Sequence, residues 1–321
     1  MGIKRKPPGR GSRSFWHRRR ASRIVPRIRS WGDHGKGLEA FGGIKAGMIH
    51  VVMVEDSEAP TKGQEVAKAA TVVVTPPLFV YSVIAFKKTI EGLKPFAEVP
   101  ATIGIPKEAK RVLTPAKKAK HSIDDLKKQV SEIADVRIIA LSLSSKSGIS
   151  KNPFVIEMAV GGANAAEKLD FAASVLGKEV SVSDVFNEGD VVDTIAVTKG
   201  KGWQGVVKRY GVALNIRKAT QKRRHGGSLG AERQAKVMYT IPRAGQMGFH
   251  RRTDWNKRIM AVSKDSGKFT PAGGFKRFGI PKTDFVLIEG SIPGPSKRFV
   301  LLRKSLRNKK SAKPEIKKIV K

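Results

Sequence analysis

Two glycine-containing patterns have the spacing of loops that bind cofactors or carry nucleophiles in enzymes. In the first, Gly200, Gly202 and Gly205 fit the dinucleotide-binding pattern G-x-G-x-x-G. That pattern needs a helix directly after it and an acidic residue about 20 residues later. Residues 206–211 have a strand-like composition instead, and the next acidic residue is Glu232. The glycines therefore predict a close approach of the backbone to a phosphate chain, not a nucleotide cofactor.

The second pattern, G-x-S-x-G, places Ser228 between Gly226 and Gly230. The nucleophile of a hydrolase elbow lies between a strand and a helix, and an acid and a histidine follow it in the chain. Ser228 follows the cationic run QKRRH at residues 221–225, which predicts a Gly/Ser turn. An enzyme that uses either pattern stays as an alternative, and replacing Ser228 with Ala would then abolish turnover.

Metal and thiol chemistry have little support in the sequence. The chain has no Cys, which removes disulfides, thiolate catalysis and Cys-based metal sites. The six histidines, at positions 17, 34, 50, 121, 225 and 250, include no pair with the i, i+4 spacing of a metal-binding helix. We therefore predict no catalytic residue, no metal site, no cofactor and no small-molecule substrate.

Lysine and arginine are concentrated in one stretch, residues 199–260. It holds 16 Lys/Arg against Glu232 and Asp254, a net charge of +14, with nine Gly among them. An unpaired buried cation costs several kcal/mol, so such a stretch is ordered only against a polyanion. Arg and Lys would neutralise phosphates, and Arg or aromatic planes would stack on exposed bases. The stretch is therefore predicted to bind nucleic acid.

The predicted RNA-binding residues lie in this stretch, in one N-terminal cluster and in one C-terminal loop. They are Arg18, Arg19, Arg20, Lys199, Lys201, Trp203, Lys208, Arg209, Arg217, Lys218, Lys222, Arg223, Arg224, His225, Arg233, Lys236, Arg243, Gln246, His250, Arg251, Arg252, Lys257, Arg258, Lys297 and Arg298. Glu232, Arg233 and Gln234 mark the predicted tip of the stretch.

The whole chain has a net charge of +36 and a pI near 10.6. Residues 1–40 and 297–321 each contribute +10, and the rest outside the basic stretch is nearly neutral. A DNA-binding or chromatin protein is the main alternative, although the stretch offers no helix for a major groove. The longest apolar run, residues 72–86, contains Pro76 and Pro77 and is too short to span a membrane, and no secretory signal is apparent. We predict no membrane partner.

Alternating and β-branched runs predict strands at residues 48–54, 71–86, 136–143, 154–160, 191–198, 259–263, 274–278, 285–290 and 299–302. Ser122, followed by Asp124 and Asp125, predicts the start of one helix. A second helix is predicted over residues 165–176, with Asn164 and Glu167 as its capping pair and Gly177 after its end.

These elements predict a mainly β fold with an α+β insertion, built on a small closed β-barrel with long extended basic arms. The predicted organisation assigns 1–40 to an extended basic N-terminal arm and 41–86 with 188–302 to a discontinuous barrel. It assigns 87–187 to the insertion, 199–258 to a long basic internal extension of the barrel, and 303–321 to a basic C-terminal tail. A structureless loop of that length inside a compact domain is improbable unless function requires it.

Several segments together resemble the universal large-subunit ribosomal protein number three, of the archaeal type. The motifs are TKGKGWQGVVKRYG (198–211), RAGQMGFHRRT (243–253), GSIPGPSKR (290–298), FGGIKAGMIHVV (41–52) and, more loosely, GSRSFWHRRR (11–20). They span nearly the whole chain in the order of that family. In the family the extension often has a Trp at its tip, followed by a polar residue and Pro, and Glu232, Arg233 and Gln234 occupy those places here.

The resemblance implies a translation-factor-like barrel bound to large-subunit rRNA in the cytoplasmic ribosome. It implies a structural, non-enzymatic protein that binds near the 3′ end of this rRNA and helps nucleate subunit assembly. It also implies a central extension that reaches toward the peptidyl-transferase centre, and neighbouring ribosomal proteins packed on the globular part.

Overall fold

The computed structural model describes residues 18–116, 118–264, 269–307 and 313–320. Residues 1–17 of the predicted N-terminal arm lie outside the described residues, as do residues 308–312 and 321 of the predicted tail. The strands, in chain order, are β1 (Gly37–Leu38), β2 (Ala40–Val54), β3 (Glu65–Val74), β4 (Leu78–Thr89), β5 (Gly92–Pro100), β6 (Asp135–Ser142), β7 (Phe154–Gly161), β8 (Glu179–Val180), β9 (Val191–Val197), β10 (Trp203–Gln204), β11 (Gly245–Gln246), β12 (Arg251–Ser263), β13 (Phe285–Glu289), β14 (Phe299–Lys304) and β15 (Ile316–Val320).

Three short α-helices join these strands: α1 (Ile123–Lys128), α2 (Ala165–Val175) and α3 (Val206–Tyr210). Turns of 3₁₀-helix cover Ala109–Arg111, Val130–Glu132, Val182–Asp184 and Glu232–Gln234. The predicted mainly β class is therefore confirmed. The chain divides into two compact units: a basic unit formed by Val197–Arg251 with the described part of Met1–Ser22, and a β unit formed by Arg23–Ala196 and Arg252–Lys321.

One sheet has seven strands in the order β14-β9-β12-β13-β3-β2-β15, and β14 also pairs with β2. Neighbouring strands run antiparallel, as in β2 with β3, where Met48 lies opposite Thr71. Alternate residues of these strands are fully buried, for example Val51 and Met53 on β2. Apolar alternation along the sequence therefore produces this core.

The second sheet has the order β1-β7-β6-β4-β5, and β8 also pairs with β4. Its core packs against α1 and α2 through Leu126, Leu169 and Ala172. Residues 71–86 were predicted as one strand, but they form β3 and β4, which belong to different sheets. Pro76 and Pro77 separate them, because proline lacks the N–H that a continuous ladder needs.

The helix caps agree with their sequence signals to different degrees. Ser122 accepts a hydrogen bond from the Asp125 backbone N–H, and the Asp125 carboxylate accepts one from the Ser122 N–H, so α1 has a full capping box. At α2 the Asn164 side chain makes no cap hydrogen bond, and Glu167 instead accepts from the Ala163 N–H at 2.9 Å. Gly177 has φ +74°, the left-handed conformation predicted after the helix.

One predicted strand near the C-terminus was wrong. Residues 274–278 form a turn, not a strand, because Gly274 and Arg277 have positive φ (+71° and +68°), which a strand excludes. The turn buries Phe275 against Gly47, where a Cβ would lie 2.4 Å from the Phe275 ring. Within residues 303–321, the predicted C-terminal tail, β14 continues to Lys304 and β15 pairs with β2.

The loop between β2 and β3 carries an acidic side chain, Glu55, which is held by one lysine of β3, Lys68. The hydrogen bond from the Lys68 ammonium is the main cause that lowers the pKa of Glu55 from 4.5 to about 2. Lys68 Nζ lies 2.8 Å from Glu55 Oε2 and 3.0 Å from Glu289 Oε1. The Ser57 backbone N–H also donates to Glu55 at 3.1 Å.

The lowered pKa of Glu55 predicts an acid-dependent loss of stability. Because the folded pKa lies below the unfolded one, the stabilisation is complete above about pH 4.5 and is lost as the pH falls toward 2. We expect Glu55→Gln to be less stable than the unaltered chain at pH 7, and the difference to shrink on acidification. Urea unfolding at steps from pH 7 to 2 measures this. The exposed neighbour Glu58, changed to Gln, should leave the pH profile unchanged, and a Glu55→Gln difference that persists at pH 2 would contradict the assignment.

Candidate nucleic-acid interface

Two antiparallel limbs of the basic unit are joined by backbone hydrogen bonds. The outgoing limb contains β10, and the returning limb contains β11. β10 pairs with β11, and Trp203 lies opposite Gln246. The Lys201 N–H donates to the Met247 carbonyl at 2.9 Å, and the Met247 N–H donates to the Gly202 carbonyl at 2.9 Å. The limbs are therefore held in a fixed register although the sequence between them is strongly cationic.

Gly248 lets the two limbs approach closely. It has φ +72°, and a Cβ at this position would lie 2.1 Å from the Lys199 carbonyl oxygen. Left-handed backbone costs a residue with a Cβ about 1–2 kcal/mol, and here the backbone of the opposite limb would also have to move.

We expect Gly248→Ala to separate the limbs and to weaken rRNA binding by roughly 10-fold, given a local cost of this size. Limited proteolysis should cut faster within residues 199–250, and filter binding should report the lower affinity. Gly205→Ala is the matched control, since Gly205 has ordinary φ (−68°) and nothing within 4 Å of its Cβ position. Equal affinities for the two variants would refute this role of Gly248.

The described N-terminal residues pack on the returning limb. The Ala21 N–H donates to the Phe249 carbonyl at 2.7 Å, and His250 Nδ1 lies 2.7 Å from the Arg19 carbonyl oxygen. The Arg20 guanidinium lies 5.3 Å from the centre of the Phe249 ring. Tertiary structure thus brings two stretches that were predicted to bind RNA, more than 200 residues apart in sequence, to one place.

Residues 206–211 were predicted to be strand-like, and this was wrong. They form α3, one helical turn that ends at Gly211 with φ +68°. The predicted strand has no partner here, and two glycines, Gly205 and Gly211, bracket the turn, so local helical hydrogen bonds satisfy the backbone. The dinucleotide pattern still lacks its acidic residue, since residues 206–231 contain no Asp or Glu.

Arg209, a predicted RNA-binding residue, contacts other residues of the basic unit through its side chain. Its Nη1 donates to the Arg243 carbonyl at 2.9 Å, and its guanidinium lies 5.1 Å from the Tyr210 ring centre. A Cβ on Gly245 would lie 2.7 Å from this guanidinium, so the glycine makes room for it. Arg18 lies 5.0 Å from the centre of the same Tyr210 ring. Arg209 therefore joins the outgoing and returning limbs.

The Gln246 side chain also has an internal role, because its amide donates to the Gly248 carbonyl at 3.0 Å. Most other predicted side chains of the basic unit are exposed. They are Arg19, Arg20, Lys199, Lys201, Trp203, Lys208, Arg217, Lys218, Lys222, Arg223, Arg224, His225, Arg233, Lys236, Arg243 and Arg251. Residues 199–243, all of them described, contain twelve Lys/Arg and no ion pair.

Residues 212–242 have little regular structure. Asn215 holds a local turn by hydrogen bonds to the carbonyls of Arg223 (3.0 Å, from its N–H) and Lys222 (2.8 Å, from its side-chain amide). The predicted tip forms the 3₁₀ turn Glu232–Gln234, in which Glu232 and Arg233 are exposed. Large apolar side chains are exposed in the basic unit as well, with Trp203 76% and Ile216 75% accessible. Cations beside exposed aromatic and apolar faces suit phosphates and unstacked bases.

Two predicted RNA-binding residues of the β unit form ion pairs with carboxylates. Arg258 Nη1 donates to Asp56 Oδ1 at 2.8 Å and Nη2 lies 2.6 Å from Oδ2. The hydrogen bond from Arg258 is the main cause that lowers the pKa of Asp56. Lys257 Nζ lies 3.1 Å from Asp254 Oδ2. Neither partner was identified from sequence. An acid three residues before Lys257 was a usable local signal, whereas Asp56 is 202 positions from Arg258.

The loop that carries Lys297 and Arg298 is held by a residue that sequence reasoning missed. Lys45 Nζ donates to the carbonyls of Ile292 (2.7 Å) and Gly294 (3.1 Å), and the Lys297 N–H donates to the Lys45 carbonyl at 2.8 Å. Burial lowers the pKa of Lys45. Lys297 has φ +66° in this loop. Its side chain is exposed, and so is the side chain of Arg252 elsewhere in the β unit.

Other candidate chemistry has no assembled site in the part of the chain that the structure describes. Ser228 lies in irregular backbone, with Oγ 3.4 Å from the Gly230 carbonyl, and not between a strand and a helix. No group of three or more His, Asp or Glu side chains among the described residues is placed to hold a metal ion. Within the same residues no helix has the length and apolar character to cross a membrane.

A mainly β protein with a long, exposed cationic segment that forms no ion pair among the described residues has the features of an RNA-binding component of a ribonucleoprotein. The family model for ribosomal protein L3 matches residues 1–320, and the chain belongs to this family. It is therefore a structural constituent of the large ribosomal subunit, located in ribosomes in the cytoplasm, as the motifs predicted.

Curated relatives agree along nearly the whole chain. The large ribosomal subunit protein uL3 of Methanococcus vannielii is 44% identical over 313 residues, covering 96% of this chain and 93% of the relative. That of Methanopyrus kandleri is 40% identical and covers 97% and 89%. That of Pyrobaculum arsenaticum is 44% identical and covers 98% and 96%. The predicted archaeal type is confirmed.

Proposed function

We propose that this chain is a primary rRNA-binding protein whose basic unit threads between rRNA segments and helps nucleate assembly of the large subunit. One observation carries the proposal: residues 199–243, all of them described, present twelve Lys/Arg without an ion pair, and Glu232 is the only acid among them. Such a segment gains its counter-charge from a polyanion. Irregular backbone, glycines and exposed aromatic faces favour RNA over the regular grooves of duplex DNA.

The finer placement of the protein is part of the same proposal. The protein binds near the 3′ end of the large-subunit rRNA, the tip at Glu232–Gln234 reaches toward the peptidyl-transferase centre, and neighbouring ribosomal proteins contact the β unit. The resemblance of the motifs to those of the family supports these features. Arg18, Arg20, Lys297 and Arg298 add contacts outside the basic stretch.

We also propose that six strands close into a small translation-factor-like barrel. Each of β2, β3, β13, β12, β9 and β14 pairs with two others in a ring, which leaves β15 as an added edge strand. The division into N-terminal arm, barrel, insertion, internal extension and C-terminal tail is kept as a proposal, with β4 moved from the barrel to the insertion because of its pairing with β5 and β6.

A direct comparison of ligands tests the proposal. The full chain is titrated with its own large-subunit rRNA and with duplex DNA of matched length at physiological salt. We expect at least 100-fold tighter binding to rRNA and a log–log salt slope of about −0.7 per single-strand phosphate neutralised. Equal affinity for both ligands would favour the chromatin alternative and overturn the rRNA assignment.

A further inference from the structure

One face of the second sheet carries an apolar cleft that the proposed interface does not use. Its volume is about 790 Å³, large enough for a nucleotide-sized ligand, and it is formed within the β unit. Ile24 and Val112 line it and are 52% and 43% exposed. Phe86 also lines it but is buried, with the Arg137 guanidinium 4.5 Å from its ring centre, and the ring of Phe154 packs on Phe299. Strand alternation separates this face from the one that packs on α1 and α2.

Cations without carboxylate partners surround the cleft. Arg23 lines it, and Arg111 and Lys151 lie one and two residues from the lining residues Val112 and Pro153. All three cations are exposed, and none forms an ion pair with a described residue. The one acid in the lining, Glu157, is already engaged: its Oε1 accepts from Arg137 Nη1 at 2.7 Å and its Oε2 lies 3.9 Å from Arg27 Nε.

The rim is built on a fixed framework rather than on independent loops. Arg111 Nη1 donates to the Lys151 carbonyl at 3.2 Å, which ties the turn Ala109–Arg111 to the loop between β6 and β7. Ser145 of that loop donates to one carboxylate oxygen of Glu108. Ala109 is fully buried. Arg111 is therefore held beside the cleft before any ligand binds.

We infer that this cleft is a second RNA site that takes one unstacked nucleotide of rRNA. The base would stack on the apolar lining, and the flanking phosphates would lie against Arg23, Arg111 and Lys151. An apolar floor with an unpaired cationic rim fits a base and its phosphates better than an apolar protein segment, which gains nothing from the cations. The inference rests on the proposed rRNA binding and adds a site away from the basic stretch.

Photo-crosslinking tests the occupant. p-Azidophenylalanine is placed at Val112 in the full chain, which is then bound to its own large-subunit rRNA and irradiated. We expect an adduct with a single rRNA position, which primer extension maps. The same amino acid at Ile90, fully exposed at the β4–β5 hairpin and outside the cleft, is the control and should give no adduct at that position. An adduct of Val112 with a peptide of this chain or of another ribosomal protein, without an RNA adduct, overturns the inference.

Two variants measure the energetics. Val112→Trp fills the cleft from an exposed position and should weaken rRNA binding about 5-fold or more, the size of a lost base stack. Arg23→Glu with Lys151→Glu should reduce the salt slope by about 1.4, since each phosphate that is no longer neutralised lowers it by about 0.7. Circular dichroism melting checks that both variants fold. Unchanged affinity and slope in folded variants refute the site.

The two proposals fail in different ways. If the unaltered chain binds rRNA no better than duplex DNA, the proposed function fails. If it binds rRNA specifically but gives no RNA adduct at Val112, only the cleft site fails.

Discussion

Replacing residues 205–244 with an Asn-Gly turn is expected to leave a folded protein whose rRNA affinity is at least 100-fold weaker. The removed residues contain ten Lys/Arg and one acid, Glu232. If half of these cations contact phosphates, the log–log salt slope should fall by about 3.5. The affinity at physiological salt should fall for the same reason, because fewer counterions are released from the rRNA when the shortened protein binds.

The fold should survive this deletion because nothing in the deleted stretch is buried with the core. No residue between 205 and 244 belongs to the buried apolar or buried polar set of the described chain. Gln204 and Gly245 are already paired across the two limbs, so a two-residue turn closes the gap with little strain. The free energy of unfolding, measured with urea, should lie within about 1 kcal/mol of that of the unaltered chain, because changes away from the core have small effects on stability.

A full-length variant separates charge from chain length. Changing Arg217, Lys218, Lys222, Arg223 and Arg224 to Gln keeps the segment but removes five cations, and should lower the salt slope by up to about 3.5. An unchanged slope in this variant, or unfolding of the deletion variant, would show that the basic unit is a structural element and not the RNA-binding one.

Changing Asp193 to Asn is expected to destabilise the β unit by about 3–5 kcal/mol. Asp193 is fully buried and Arg303 is 2% exposed, with Arg303 Nη2 2.7 Å from Asp193 Oδ2. The Asn256 N–H donates to Asp193 Oδ1 at 3.0 Å. The neutral amide would leave the guanidinium of Arg303 buried without its counter-charge. A buried charge without a partner is strongly destabilising.

Urea unfolding of the unaltered chain and the variant measures this loss. Glu132→Gln is the control, since the Glu132–Lys87 pair is about half exposed and should contribute within about 1 kcal/mol. Combining Asp193→Asn with Arg303→Met should recover part of the loss, because the unpaired charge is removed too. A loss below about 1 kcal/mol for Asp193→Asn would mean that the buried pair does not stabilise the fold.

Local patterns predicted the parts of the fold that depend on short-range interactions. The capping box at Ser122, the left-handed Gly177 and the strand from residue 191 were all placed correctly from such signals. The helical turn α3 was missed because five residues carry too little periodicity to override the strand preference of two valines. The partners of β4 were missed because strand pairing depends on distant residues.

The candidate interface was also predictable from sequence only in part. Sequence alone located the cationic stretch, since charge density and the absence of acids are properties of composition. It could not tell that Arg209 would bond to the Arg243 carbonyl, or that Arg258 would be held by Asp56. Nor could it bring Phe86, Val112 and Arg23 to one cleft, since they come from three separate segments.

The sequence by itself therefore determined the mainly β class, the family, and the location of the cationic region that we propose faces a polyanion. Each of these rests on periodicity, motif order or net charge, which are fixed by neighbouring residues. Only the tertiary structure decided which cations remain available to a ligand. A cation is taken by whichever carboxylate or carbonyl folding brings within hydrogen-bonding distance, and those partners lie as far as 202 positions away along the chain.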